Sequence, residues 1–450
     1  VIGSISSVSA LLVIYLGMTA YFTNHFYFGT EINSVSVSGK TVSEVEKEMP
    51  AKVEAYKLEL DGIDGKKEQI TASDIGLKYN SNGQVKSLKD KENPFGWITA
   101  VFKSKDYNVT AGVSFDKELL KKKLDSISFF DGSKVIEPKN ASFKYENGSY
   151  SIVNEVYGNK INKDVFVNKV SDAILKGQEK INLKDEDCYV KPQYTSTSQQ
   201  VTEAKKALDK YVASKITYTF GKNTEVLDGS TISTWLKVDD KLQVTLDETK
   251  VKQYLNKLSS TYGTVGKTRD FTTTLGNKIK ISGGDYGWAI NSAKESQSLI
   301  DDIKNGKVET KEPIYAQKGA SLDGNDIGNT FVEVDMSKQH LWYYKNGSLV
   351  VEGDVVTGNI TANHSTRVGV YRVKYKERNT SLKGEDYNVP VSYWMPFDQG
   401  IGLHDATWRT TFGGQYYKTT GSHGCVNMPL ALAKTIYENM DVGTPVLCYY

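Results

Sequence analysis

Two stretches of this 450-residue chain lie on each other without a gap: "YGNKINKDVFVNKVSDAILKG" (157–177) and "YGWAINSAKESQSLIDDIKNG" (286–306). Tyr-Gly, Ile-Asn, a late Asp, an Ile and the closing Gly coincide. A repeat of this kind constrains the fold more than any composition does, because whatever one copy becomes the other must become too. Upstream, "VSFDKELLKKKLDSI" (113–127) matches "VTLDETKVKQYLNKL" (244–258) at nearly the same offset, and "ITASDIGLK" (70–78) pairs more loosely with "LDGSTISTWLK" (227–237). Each match reads as a short strand followed by a helix. Asp116 and Asp247 sit as N-caps, and Gly177 and Gly306 as C-terminal stops. The expectation is two related α+β modules, at 31–195 and 200–316. "QYTSTSQQ" (193–200) links them, and "VTEAKKALDKYVASK" opens the second with a helix. No His, Cys or carboxylate cluster recurs in the copies, so they read as binding or spacer units rather than catalytic ones.

The first twenty-odd residues are of another kind. "VIGSISSVSALLVIYLGMTAYF" carries no charged side chain, and the first acid or base is Glu31. About twenty apolar or small residues at ~1.5 Å each cover a hydrocarbon core of about 30 Å, and no small-x-small cleavage site follows. A retained transmembrane anchor over 1–24 is therefore expected, with the rest of the chain outside the membrane. The net charge of +2, with lysines mixed among acids, gives no electrostatic case for nucleic acid.

Beyond "KGASLDGNDIGN" (318–329), a second boundary, the texture becomes that of short strands: "FVEVD" (331–335), "QHLWYYKNGSLVVEGDVVTG" (339–358) and "GVYRVKYKER" (369–378). Asn346-Gly347 supplies a tight hairpin turn. One helix stands out, "PLALAKTIYENM" (429–440), with Leu432, Ile436 and Met440 on one face and Gly443 beyond it. "TPVLCYY" closes the chain as a last strand. The 28 tyrosines and the Val/Ile/Thr runs support this β-rich reading.

The three cysteines, Cys188, Cys425 and Cys448, cannot all pair with one another, and a free thiol in an exported chain needs a reason. Cys188 and Cys448 read as small buried hydrophobes. Cys425 is different: "TTGSHGCVNMP" (419–429) boxes it with His423 among turn-forming residues, just ahead of the helix. A thiol near a helix N-terminus is expected to have a lowered pKa, with Asn427 capping the helix. Gly421 and Gly424 allow a turn whose N–H groups converge on one spot, as in an oxyanion hole. A thiolate nucleophile needs an acid/base partner, and two histidines offer themselves: His423, and His404 in "GIGLHDATW", with Asp405 beside it to orient the ring. A zinc site from His404, His423 and Cys425 is the competing reading, although no fourth ligand stands nearby. His340 and His364 read as surface or structural residues.

The ordered set of His404, Ser422-His423-Gly424-Cys425, an apolar residue and Asn427 resembles the L,D-transpeptidase catalytic domain, the YkuD family. "WMPFDQGIGLHDA" (394–406) is similar to that family's approach to its histidine. The resemblance covers 329–450, and the repeats resemble the peptidoglycan-binding modules that precede this domain in anchored Gram-positive members. It implies a multidomain α+β protein with a sandwich-like catalytic domain and one helix after the nucleophile. It implies that Cys425 attacks the third residue of a tetrapeptide stem, that D-Ala leaves, and that a neighbouring stem's amine takes the thioester to give a 3→3 cross-link. His404 would be the acid/base. Backbone N–H groups at His423, Gly424 and Cys425 would hold the oxyanion, with Ser422, Asp405 and Asn427 positioning them. The partners implied are peptidoglycan stems and, as inhibitors, carbapenems; no cofactor is implied. The site would face the cell wall from a single-pass membrane protein. Trp394, Tyr416 and Tyr417 are candidates to line the substrate groove, with "RTTFGGQYYKTT" (409–420) as a loop over it. A carboxypeptidase or endopeptidase of the same fold, or a non-catalytic wall-binding protein, are the alternatives.

Overall fold

The computed structural model describes residues 2–33, 35–107, 112–384 and 388–450; of residues 2–7 and 64 only the backbone is described. The chain divides into two compact units, one of residues 1–143 and 152–201, the other of residues 144–151 and 202–450.

Both repeats fold the same way. In the first module, strand Lys57–Asp61 lies between Lys67–Thr71, antiparallel, and Lys180–Asn182, parallel. In the second, Lys215–Phe220 lies between Asn223–Leu227 and Val308–Lys311 with the same senses. The sequence matches fall on equivalent helices. Asp116 and Asp247 accept from the first-turn amides of Lys117–Ser126 and Glu248–Tyr262. Asn162 and Asn291 do the same for Lys163–Leu175 and Ser292–Lys304. Both latter helices end alike: the Gly177 and Gly306 amides donate to Ile174 and Ile303, and the next amides to Ala173 and Asp302. This paired closure satisfies the last carbonyls and places glycine where φ must be positive.

The N-terminal segment forms a helix, Ile2–Asn24. Among the described residues no helix is long and apolar enough to cross a membrane, which leaves the transmembrane reading of 1–24 unsupported. Val1 and the side chains of 2–7 lie outside the described residues. The helix's last turns are packed against the rest of the first unit. Phe22 is buried with Tyr27 and Ala100, Met18 and Trp97 pack against them, and the Lys89 ammonium donates to the Phe22 carbonyl at 2.6 Å. Among the described side chains of this helix, the exposed large hydrophobics are Val8, Leu11, Leu12, Val13, Ile14, Leu16 and Tyr21.

The C-terminal domain is a sandwich with one helix. Its strands are β1 Phe331–Asp335, β2 His340–Lys345, β3 Ser348–Asp354, β4 Gly369–Arg372, β5 Glu377–Lys383, β6 Asn388–Asp398, β7 Ile401–Asp405, β8 Val426–Met428 and β9 Pro445–Tyr449, with helix α1 at Leu430–Asn439. One sheet runs β3-β2-β1-β9-β4, the other β5-β6-β7-β8. Pairing is parallel in β1–β9 and β7–β8. Asn346 and Gly347 both take positive φ between β2 and β3, as the hairpin turn requires. Val332, Val334, Leu341 and Tyr343 of the first sheet meet Met395, Phe397, Leu403, Val426 and Met428 of the second, and α1 closes the core with Leu432, Ile436 and Met440.

The last strand is buried along its whole length. Its alternate residues explain why. Val446 and Cys448 enter the sandwich core, whereas Leu447 and Tyr449 join Phe271, Ile281, Tyr286, Ile327 and Val370 in a second cluster. The second module's hairpin (Arg269–Thr272 and Lys278–Ile281) thus covers the outer face of the five-stranded sheet. Glu333, fully buried on β1, is satisfied from the same hairpin: Thr274 donates from its amide at 3.0 Å and from its hydroxyl at 2.6 Å, and Tyr449 adds its phenol. Gly284 takes φ +78° with its Cα against the Val370 carbonyl, where an added Cβ would lie 2.0 Å from the oxygen. The segment 318–329, expected as a boundary, is pinned rather than loose. Arg269 grips Asp326 with Nε and Nη2, both at 2.8 Å, and Trp288 Nε1 donates to the Ser321 carbonyl.

Candidate active site

The parallel pairing of β7 and β8 builds the site. Leu403 lies opposite Val426 and His404 opposite Asn427. Leu403 and Val426 point into the core. Side chains alternate along a strand, so His404, Asn427 and, just before β8, Cys425 emerge on the other face. There they line a pocket of ≈ 220 Å³ together with Ser422, His423, Trp408 and Arg409.

His404 is almost wholly buried. Its Nδ1 lies 2.9 Å from the Asp405 main-chain carbonyl, an acceptor only, so Nδ1 carries the hydrogen and Nε2 is left with its lone pair. Trp394 and Trp408 bracket the imidazole, with ring centroids 5.8 and 5.9 Å away. Burial lowers the His404 pKa and outweighs the opposing pull of Asp405 and its carbonyl, so the ring is held neutral. The Asp405 carboxylate does not orient the ring. It accepts the Ser392 and Tyr393 amides at 2.8 and 2.7 Å and ties β6 to β7, and the orienting group is the residue's own carbonyl.

Cys425 is a free thiol, partly accessible from the pocket, with Sγ 3.7 Å from the Gly400 carbonyl. Burial pushes its pKa up to about 11, against a lowering contact from the Gly402 backbone. The expectation of a thiolate held by a helix N-terminus is therefore corrected. Strand β8 and Pro429, the N-cap residue, stand between Cys425 and α1, and the dipole effect fades within the first turn. Asn427 does not cap the helix. It is a buried β8 residue whose main chain exchanges hydrogen bonds with Val356.

The turn before Cys425 is closed by its own serine. Ser422 Oγ donates to the Cys425 carbonyl at 2.5 Å and accepts the Gly424 amide at 3.1 Å. Thr366 fixes the Gly424 carbonyl at 2.6 Å. Gly424 takes φ +119°, and an added Cβ would meet Ile401 at 2.9 Å. His423 is exposed and stacks obliquely on His364, with ring centroids 4.6 Å apart. Among the described residues no group of three or more His, Cys, Asp or Glu side chains is gathered to hold a metal, which leaves the zinc reading without a ligand set.

Of the groove candidates, Trp394 is buried behind His404 and donates to Tyr375 at 3.3 Å. Tyr417 is buried and Tyr416 exposed in the turn Tyr416–Lys418. None of the three lines the pocket. The aromatic wall is Trp408 instead, and Arg409 stands next to it. Both lie just past Asp405: Arg409 opens the segment 409–420 expected as a loop over the site, and Trp408, the residue before it, was not singled out. Gln339, fully buried, was missed as well: it accepts the Thr357 amide at 2.8 Å, and the Thr357 carbonyl holds Ser422.

The fold is thus a two-sheet domain that brings a thiol and a neutral imidazole into one pocket, with repeated α+β modules before it. The chain belongs to the L,D-transpeptidase family. Residues 329–448 match the YkuD "L,D-transpeptidase catalytic domain", and 68–182 and 194–311 each match the "Putative peptidoglycan binding domain". The crystal structure of a cysteine-to-serine variant of Enterococcus faecium L,D-transpeptidase is 35% identical; the match covers 56% of this chain and 100% of that one, with a TM-score of 0.44. The solution structure of the E. faecium catalytic domain acylated by ertapenem is 44% identical over 27% of this chain and 98% of that one, with a TM-score of 0.26. The "Putative L,D-transpeptidase YciB" of Bacillus subtilis (strain 168) is 25% identical over 169 residues, 35% of this chain and 84% of its own length.

Proposed function

We propose that this transpeptidase joins peptidoglycan stems by 3→3 cross-links through a thioester on Cys425, working on the wall side of the cell envelope. The observation that carries the reading is the pairing in one pocket of a partly accessible thiol with an imidazole whose Nε2 is left as an acceptor. Both groups rest neutral, because burial disfavours the thiolate and the imidazolium alike. The proton therefore moves as the sulfur attacks. His404 Nε2 takes it from Cys425, Sγ bonds the carbonyl carbon of the third stem residue, and the oxyanion is held by backbone N–H groups of the turn. The Gly424 amide is committed to Ser422, which makes the Cys425 amide the principal donor. Collapse breaks the C–N bond, and imidazolium gives its proton to the departing D-Ala amine. In the second half His404 deprotonates the side-chain amine of an acceptor stem, that nitrogen bonds the thioester carbon, and Sγ leaves as thiol.

Two relatives add support: one is an E. faecium enzyme acylated by ertapenem, another a carbamoyl enzyme formed with avibactam. By that likeness we place β-lactams among the ligands of Cys425. The test is mass spectrometry of tetrapeptide stems incubated with the full chain and with Cys425→Ala. Cross-linked dimers from the native chain alone support transfer. Tripeptide without dimers assigns carboxypeptidase chemistry, and no product from either protein rejects the reading.

A further inference from the structure

Arg409 is the one Lys or Arg among the described residues lining the Cys425 pocket, and no Asp or Glu lines it. Its main chain is fixed, the amide donating to the Ala406 carbonyl at 3.0 Å. Its guanidinium is held at one corner only, where Nη2 donates to the Thr420 carbonyl. Nε is enclosed with no acceptor, and among the described residues no carboxylate pairs with the group. A half-buried guanidinium left this way carries an uncompensated desolvation cost, and burial depresses its pKa. Arg269, more deeply buried, is finished differently: it spends its guanidinium on Asp326 and three carbonyls. An arginine fork complements a carboxylate with two parallel hydrogen bonds, and an anion arriving in the pocket would complete Arg409.

We propose that Arg409 determines donor specificity by binding the free α-carboxylate of the D-amino acid that leaves. This rests on the reading of Cys425 and His404 given above. In that reaction the leaving group's carboxylate is two bonds from the departing nitrogen, so it enters the same small pocket as the attacked carbonyl. A stem whose last residue is amidated, or extended by a further residue, offers no charge at that point. Arg409 thereby selects tetrapeptides with a free terminus, and it fixes the scissile amide while His404 protonates it.

The experiment compares two donors, a stem tetrapeptide ending in D-alanine and the same peptide ending in D-alaninamide, with the full chain and with Arg409→Gln and Arg409→Lys. A charge-assisted hydrogen bond is worth about 1.5–3 kcal/mol, or roughly 10- to 150-fold. Native protein is expected to favour the acid over the amide in kcat/KM by that factor. Arg409→Gln should lose far more on the acid than on the amide, so that the two donors become nearly equal, and Arg409→Lys should fall between. Equal losses on both donors in both variants, or discrimination retained by Arg409→Gln, overturns the proposal. Thioester on Cys425 of the native chain is followed in the same samples. Its absence rejects the underlying reading, whereas its presence with unchanged discrimination rejects the role of Arg409 alone.

Discussion

A neutral resting pair makes Cys425 slow toward a simple electrophile and still competent toward its substrate. A thiol with a pKa of about 11 is ionised at pH 7.5 to roughly one part in three thousand, whereas an unperturbed thiol near 8.5 is ionised to about one part in eleven. Alkylation by iodoacetamide proceeds through the thiolate, so Cys425 in the native chain should react about two orders of magnitude more slowly than a free cysteine at that pH. The rate should rise close to tenfold per pH unit up to pH 10. Cys188 and Cys448 are buried with raised pKa values of their own, so the rate is read on the isolated Cys425 peptide by mass spectrometry. Replacing His404 by Gln should leave this profile nearly unchanged while abolishing turnover, because the imidazole does not hold a thiolate at rest. A Cys425 alkylation rate that levels off below pH 7.5 in the native chain, and loses that plateau in His404→Gln, would show a preformed ion pair and refute the reasoning.

Three further outcomes follow from the same structure. The folded His404 pKa lies below the ordinary imidazole value, so the unfolded chain binds more protons in the window beneath pH 6.5 and stability is lost as pH falls through it. The native chain should therefore lose more Tm than His404→Gln between pH 7.5 and 5.5; parallel losses would mean that the ring is not held neutral. Asp326→Ala strands the buried Arg269 guanidinium and should cost about 3–5 kcal/mol, the range for breaking one partner of a buried pair, read by denaturant unfolding of the second unit. Thr274→Val removes a hydroxyl from the buried Glu333 carboxylate and should cost about 1–3 kcal/mol; a change too small to measure would show that the hairpin does not cap the five-stranded sheet.

Much of the architecture was legible because it is written in local chemistry. Asp116, Asp247, Gly177 and Gly306 act within one helical turn of themselves, and Asn346-Gly347 makes its hairpin without outside help. The ordered box around Cys425 and the distant His404 also showed in the sequence, and the structure gathers them in one pocket. What did not show depends on partners far along the chain. Arg269 and Asp326 lie 57 residues apart, and only the fold reveals that the second module is bolted to the catalytic domain rather than strung before it. The hairpin of β5 and β6 escaped notice because Pro390 and Pro396 break the strand pattern. The helix-dipole argument for Cys425 failed over three residues, Val426 to Met428, which extend as a strand because their carbonyls and amides complete the sheet beside β7. That Met18 and Phe22 of the charge-free N-terminal helix serve as packing surface was not legible either, since their partners Tyr27, Trp97 and Ala100 come later in the chain.

The central claim is that the sulfur of Cys425 forms the covalent bond and that His404 moves the proton. Intact-mass spectrometry after incubation with a carbapenem, followed by peptide mapping, addresses it most directly. The account predicts one adduct per chain, located on Cys425, absent from Cys425→Ala and formed at least about a hundredfold more slowly in His404→Gln, the scale of a lost general base. An adduct on any other residue, or a folded native chain that stays unmodified, would contradict it.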